Sequence, residues 1–595
     1  MSKRFTLKRY LPILVWGPRY TRERLRDDLI ASVLVAVMLI PQALAYALIA
    51  GVSPELGLYA AILGLAGYAF FGSSSTLSVG PVAVLSLMTA AALGKLSITS
   101  AADYAAAATA LALMSGGLLL LLGLLRLGFM ANFISHPVVS AFVTASALLI
   151  GLNQMEYLLD IRISGDDAVS MLRSLIEGIN NINYATLSLG VIAMLLIVWC
   201  KSGLQNGLLR LGWSESRARL IGRSGPLLVV VFSAGCARLF NLQDYGVVLL
   251  GTVPAGLPEM RLPSVSLELI RALWGSAILI AIIGYVESLS VGQVLAARRR
   301  ERLNLDQELI GLGAANIASS AGGGFPVSAG FSRSIVNFSA GAATPAAGLF
   351  TAIFVAGVAL LLTPVLFWLP RYALAAIILV AIVPLIDLGM LIRSFRFSKA
   401  DFTAVLFTLL LTLTIGVEVG VAAGVLASIV MHLYKTSKPH VAVVGRVRDT
   451  EHFRNVQRHK VETFESLLSI RVDESLYFAN SRYLEEMIFN MAAKKNNLKH
   501  VILMCTAVNE IDLSALEALE TINDTLEELD IKLHLSEVKG PIMDRLGSSG
   551  FFTRLTGNNY LSHNQAVEDL RVAAKPDNAE SDSQDKSKDD TAKGD

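Results

Sequence analysis

From Leu29 to Tyr434 the chain is a succession of apolar, nearly charge-free intervals separated by short polar connections. Runs of about 20 such residues are read as membrane-spanning helices. Composition agrees: 16% of the 595 residues are charged, against about a quarter in soluble domains, and the mean hydropathy is +0.57. The basic N-terminal segment, residues 1–27, lacks a short apolar core followed by a small-residue cleavage site. The first membrane helix is therefore expected to be the insertion signal.

Two intervals break the helical pattern. The one from Leu56 to Gly94 is too long for a single span. It divides at Gly72-Ser73-Ser74-Ser75 into a full helix and a shorter one that begins after Ser78-Val79-Gly80-Pro81. The second break runs from Gly322 to Asn337, with three glycines, a proline and then Arg333. Further helices are expected near 104–125, 133–152, 186–201, 225–241, 271–290, 305–321, 402–415 and 418–434. Each break follows a helix with a polar residue of interest, Gln42 and Tyr46 in the first half and Glu287 in the second. Paired Gly/Pro-interrupted segments in corresponding positions point to a transporter site at the bilayer midplane.

The connections orient the bundle. Lys201, Arg210, Arg217, Arg219 and Arg223 form one basic group, Arg298, Arg299, Arg300 and Arg302 another, and Arg393, Arg396 and Lys399 a third. With the basic N-terminus these are expected to face the cytoplasm, and the more acidic stretches 156–177 and 244–268 to face out. An even number of helices places the C-terminus inside as well.

Past residue 435 the composition becomes that of a soluble protein. Strands are expected at 467–472, 501–504 and 532–536, and helices at 481–494, 514–528 and 541–547, which together make a small α/β layer domain over 436–573. The polar tail, 574–595, is expected to be disordered.

Arg333 is the residue with most to explain. It falls within roughly two turns of a helix N-terminus, which already carries about half a positive charge. An anion joins the two: free N–H groups at the helix start bind it, and a guanidinium fork suits carboxylate or sulfate oxygens. The Ser78–Ala83 break aims a second helix start at the same point. Glu287, an acid inside an apolar helix, suits proton coupling or a structural carboxylate. Gln42 and Tyr46 share a helix face and can complete an oxyanion's hydrogen bonding or hold helices together. Cys200, Cys236 and Cys505 have no ligand or disulfide spacing. There is no phosphate loop, zinc spacing or nucleophile elbow, so no catalytic site, metal, cofactor or nucleic-acid partner is expected.

The motifs Pro41–Ala47, Gly51–Tyr59, Ser78–Pro81, Glu287-Ser288 and Phe331–Ser334 resemble those of the sulfate permease (SulP) anion transporters. The C-terminal part is similar to their STAS domain, named for its likeness to anti-sigma-factor antagonists. The resemblance runs from about Leu11 to Val572. It implies an α-helical polytopic membrane protein of fourteen transmembrane helices, a seven-plus-seven inverted repeat arranged as core and gate domains, followed by the α/β STAS domain. It implies anion binding by Gln42, Tyr46, Val79, Gly80, Gly330, Phe331, Ser332 and Arg333, with Glu287 at the cation-coupling position. It also implies a homodimer in the cell (inner or plasma) membrane, an elevator-like movement, and proton-coupled sulfate uptake. Bicarbonate or a dicarboxylate is the alternative cargo. A membrane-anchored regulator whose STAS domain binds a soluble partner is the alternative function. One position departs from the pattern: Leu513 stands where the antagonists carry a phosphorylatable serine, with Ser514 adjacent.

Overall fold

The computed structural model describes the chain except residues 1–9, 97, 99, 130–134, 164, 166, 214–224, 252–255, 262, 264, 362–365 and 574–595. The basic residues Arg217, Arg219 and Arg223 and the polar tail therefore lie outside the described residues. The chain divides into two compact units, 1–429 and 430–595.

In the first unit the order of elements is α1 (Arg22–Ile49), α2 (Pro54–Phe71), β1 (Val79–Gly80), α3 (Ala83–Gly94), α4 (Ala101–Leu124), α5 (His136–Leu159), α6 (Ala168–Gly178), α7 (Tyr184–Trp199) and α8 (Gly225–Leu239). The second half continues with α9 (Leu267–Arg299), α10 (Leu305–Ala321), β2 (Ser328–Ala329), α11 (Phe331–Ser339) and α12 (Ala346–Leu361). It ends with α13 (Arg371–Ile382), α14 (Leu388–Phe397), α15 (Lys399–Thr414) and α16 (Val417–Ser437). Both halves begin with two helices, a strand of two residues, a short helix and then a further helix. This is the repeat order expected from the paired breaks. Six of the described helices are individually long and apolar enough to cross a membrane, or seven if the bent pair α6–α7 is one span. The multi-pass membrane fold is thus built largely from helices, and among the described residues the strands of this unit's two-stranded sheet lie at the two breaks.

Local chemistry sets the helix starts. Thr21 caps α1 by accepting from Arg24 N, Ser266 caps α9 by accepting from Leu269 N, and Asn304 caps α10 by accepting from Gln307 N. Proline at the first position of α2 loses no hydrogen bond there. The helix expected near 271–290 runs on at both ends, from Leu267 to Arg299. Packing divides the unit into two groups. α10 lies against α4 and α2, which with α1 and α12 surround the two breaks; α13 lies against α5 and α7, and α15 against α5. Small residues allow the closest approach: a Cβ on Gly116 would stand 2.9 Å from Gly313 O, and one on Gly313 would stand 2.9 Å from Gly116 O. With lipid as apolar as leucine, such contact area is what holds helices together.

The second unit is a six-stranded sheet in the order β4-β3-β5-β6-β7-β8. Its strands are β3 (Val441–Arg446), β4 (Phe453–Asn455), β5 (Leu467–Val472), β6 (His500–Met504), β7 (Lys532–Ser536) and β8 (Asn559–Tyr560). β5 to β8 are parallel, and the three strands read from the sequence are its centre. β3 and β4, antiparallel additions at one edge, were not expected. Helix Leu513–Glu528 is capped by Asp512, whose carboxylate accepts from Ala515 N at 2.9 Å. Leu513 itself is exposed, so the surface position lacks a hydroxyl to modify.

Two histidines are buried in this unit. His534 Nδ1 accepts from Asn558 N at 3.0 Å, and its Nε2 lies 3.1 Å from His500 Nδ1. The neutral ring therefore carries its proton on Nε2. His563 is paired with Ser536 Oγ at 2.8 Å. Burial pushes both pKa values down to about 4. An unfolded histidine titrates near about 6.5, so between these values the unfolded chain binds more protons and stability falls as pH drops. Intrinsic-rate-corrected hydrogen exchange of the β7 amides should accelerate between pH 6.5 and 5; replacing His534 and His563 by Asn should flatten that dependence.

Candidate functional site

The two breaks meet. β1 pairs antiparallel with β2, Val79 opposite Ala329 and Gly80 opposite Ser328. Gly330 N donates to Ser78 O at 3.1 Å, and Ser78 N donates to Ser334 Oγ at 3.0 Å. Two residues of strand leave most of the surrounding backbone to be satisfied by side chains, which is obligatory away from water. Asn316 of α10 does this for Val327, accepting from its N at 2.9 Å and donating to its O at 2.9 Å. On the other side Ser288 of α9 accepts from Ala329 N at 3.0 Å and donates to Ser328 Oγ at 2.8 Å; Ser328 in turn donates to Gly284 O.

From this pair the two short helices start. α3 follows β1 through Pro81 and Val82; α11 follows β2 through Gly330. Both leave unpaired N–H groups next to the strand pair. Arg333 is the third residue of α11, closer to the helix start than the sequence spacing indicated, and is 1% exposed. Its Nη1 donates to Gln42 Oε1 at 3.2 Å and to Pro81 O at 2.9 Å. Its Nε and Nη2 are buried and have no partner among the described residues. The guanidinium is thus held by one nitrogen while its side-on edge, the pair of parallel donors, is vacant. Glycines leave room for it: a Cβ on Gly330 would stand 2.8 Å from Cζ and Nη2, and one on Gly80 3.4 Å from Nη2.

Gln42 and Tyr46 are both buried on one face of α1. Tyr46 and Glu287 lie within electrostatic reach of the guanidinium. Glu287 Oε2 is buried and lacks a partner among the described residues. Ser288, the next residue, is the one bonded to β2, so the same turn of α9 carries the carboxylate and the strand contact. Val79 is fully buried in the strand pair, whereas Phe331 is 48% exposed and Ser332 also opens outward. Gln42, Gly80, Gly330 and Arg333 are therefore brought into one contact cluster, Tyr46 and Glu287 beside it, and Phe331 and Ser332 at its rim. Among the described residues no cluster of three or more His, Cys, Asp or Glu could hold a metal.

A supporting layer was not foreseen from the sequence. Asn337 donates to Ser75 O and Thr76 O, and Arg299 donates to Ser75 Oγ at 2.7 Å and Ala342 O at 2.5 Å. Glu308, 1% exposed, accepts from Tyr68 OH at 2.6 Å and from Ser73 N at 3.1 Å. Asp28, fully buried, accepts from Ala343 N, Thr344 N and Tyr20 OH. These groups fix the chain before α3 and after α11. The available signal was that Asp28 and Glu308 are acids at the edge of apolar runs; nothing in the sequence pairs them with the distant segments they bind.

Asn316→Ala would orphan both backbone groups of Val327, a cost of roughly 2–4 kcal/mol. It should lower the unfolding temperature of the detergent-solubilised protein more than Asn337→Ala, which removes the donor of two carbonyls, Ser75 O and Thr76 O, but orphans no N–H.

Residues 25–408 match the model of the sulfate permease family, and residues 458–566 that of the STAS domain. Sulfate transporter 4.1, chloroplastic, of Arabidopsis thaliana is 33% identical over 566 residues, covering 91% of this chain and 81% of that protein. High affinity sulfate transporter 2 of Stylosanthes hamata is 28% identical over 566 residues, covering 92% and 84%. Among solved structures, SLC26A9 superposes with a TM-score of 0.86 at 22% identity, covering 96% of this chain and 93% of that one. The transmembrane domain of the cyanobacterial bicarbonate transporter BicA gives 0.55 at 20% identity over 69% of this chain and 98% of that one. At these identities the two structures speak to the fold alone. On the family match over most of its length and on its curated relatives, the chain belongs to the sulfate permease family of membrane anion transporters.

Proposed function

We propose that this chain carries a small oxyanion, sulfate foremost, into the cell together with protons. The observation that carries the reading is the vacant side-on edge of Arg333, buried between two facing helix starts. Two parallel N–H donors spaced for two oxygens of one anion, with free backbone N–H groups around them, select an oxyanion over a spherical halide. Gln42 and Tyr46 of α1 add an amide and a hydroxyl. Val79 and Gly80 contribute backbone, as do Gly330, Phe331 and Ser332. The curated relatives named as sulfate transporters support sulfate within this class.

Glu287 is the proton carrier in this reading. Protonated, it leaves the Arg333 charge uncompensated and the site accepts a divalent anion; on losing its proton to the cytoplasm it repels the anion and favours release. Residues 28–435 form the transport domain and 436–573 the STAS domain, with 1–27 and 574–595 as flanking segments. The strand pair and its helices move as one elevator-like core against the gate group of α5, α7, α13 and α15, in a homodimer of the inner or plasma membrane with both termini cytoplasmic. The STAS domain is the place for a soluble partner.

Labelled sulfate uptake into proteoliposomes, with an acidic exterior and without one, tests the reading. Uptake should rise with the gradient; equal uptake in both conditions removes the proton. Glu287→Gln should retain exchange yet lose the gradient dependence. Arg333→Ala should weaken sulfate affinity by about 10–100-fold, the equivalent of one charge-assisted hydrogen bond at roughly 1.5–3 kcal/mol. Competition by succinate and by bicarbonate at pH 6 and pH 8 decides the cargo, and inhibition by succinate but not by sulfate would replace sulfate with a dicarboxylate.

A further inference from the structure

α6, between α5 and α7, has three distinct faces. Met171 is buried, and the helix packs on α5 and α15. Val169, Leu172 and Ile176, with Ile179 just beyond the helix, recur at helical spacing and are exposed by 63, 44, 68 and 55%. Beside this stripe Arg173 and Glu177 form an exposed ion pair at 3.0 Å. The helix start is well fixed: the Asp167 carboxylate accepts from Val169 N at 2.9 Å and Ser170 N at 3.0 Å. An apolar stripe on a firmly capped helix cannot be dismissed as frayed surface, and in water it would be a costly exposure.

Its orientation supplies the reason. The helix with its short extension, Ala168–Asn181, meets α7 at 118°. α7, an apolar helix of 16 residues, exposes Ile192, Leu195 and Val198 by 50, 63 and 51%. With α7 taken along the bilayer normal, a helix turned 118° from it lies closer to the membrane plane than to that normal. We propose that α6 is an interfacial helix, its stripe sunk among the outermost acyl carbons and its Arg173–Glu177 pair among the headgroups. Tyr184, the first residue of α7, is 77% exposed at the corner between the two helices. An ion pair lying directly alongside the apolar positions fits the polar side of such a helix. A second copy of the chain is the poorer occupant: one stripe on an 11-residue helix falls well short of the approximately 800 Å² per partner of a stable interface. The consequence is an anchor that holds the α5–α7 group at one depth in the membrane.

The test uses the full chain with Cys200, Cys236 and Cys505 replaced by Ala. Single cysteines at Leu172, Ile176 and Arg173 carry a nitroxide, and the protein is reconstituted in phosphatidylcholine–phosphatidylglycerol vesicles. Leu172→Cys and Ile176→Cys should be relaxed by dissolved oxygen more than by a water-soluble nickel chelate, at a depth of roughly 5–10 Å below the phosphates. Arg173→Cys should show the opposite preference. Nickel access at the stripe equal to that at Arg173 would mean a water-exposed helix and overturn the proposal. Protection from both reagents, with spin–spin broadening between chains, would mean that a second copy covers the stripe and would overturn it equally.

Discussion

A guanidinium buried between two helix starts is the constraint around which the membrane unit is arranged. Each helix start adds positive potential, so Arg333 occupies an unfavourable environment for a cation. Desolvating a charge costs several kcal/mol even after relaxation. The fold offsets only part of this, through Gln42 Oε1 and Pro81 O on a single nitrogen. What is left over is two donors, Nε and Nη2, without acceptors among the described residues, and the proposed anion site is built on them. The glycines at 80 and 330 follow from the same constraint, because a methyl group at either place would press on the guanidinium.

Around that centre the remaining polar groups serve geometry rather than recognition. Asn316 and Ser288 finish the hydrogen bonding of a strand pair too short to satisfy its own flanks. Asp28 and Arg299 grip opposite sides of the turn after α11, one through N–H groups and the other through Ala342 O. Such rigidity lets binding energy go to a ligand rather than to ordering the protein, which suits the proposed anion site.

Much of this was legible in the sequence, for a physical reason. Glycine, proline and a charge inside an apolar run violate what lipid allows, so Gly322–Arg333 and Ser78–Pro81 stood out, and the helix breaks fall there. The family motifs reinforced Gln42, Tyr46 and Glu287, which the fold gathers near Arg333. Asn316 left no comparable trace, and Ser288 entered only as the neighbour of Glu287 in a family motif, because a small polar residue in a membrane helix is equally at home bonding its own backbone. Their role depends on a partner strand that one-dimensional periodicity does not place. Phe331 and Ser332 came only with the family motif around Arg333, and nothing in the sequence indicated that their side chains would be exposed at the rim. In the second unit the central parallel strands were readable from their apolar runs, whereas β4 has only three residues, Phe453–Asn455, and β3 beside it is an antiparallel strand whose short apolar run sits just past a membrane helix.

The strand pair also dictates when the protein can become itself. Gln42 and Arg333 are 291 positions apart, and Val79 finds Ala329 only across the two halves of the chain. During insertion the first half waits with the edge of β1 open and the start of α3 uncovered, a state that hydrocarbon penalises. Closing so long a loop adds a further entropic delay. The first half alone is thus an unfinished object, whose backbone is completed by its own mirror partner. Any change that slows arrival of the second half exposes the nascent chain to quality control without touching Arg333 or the residues around it.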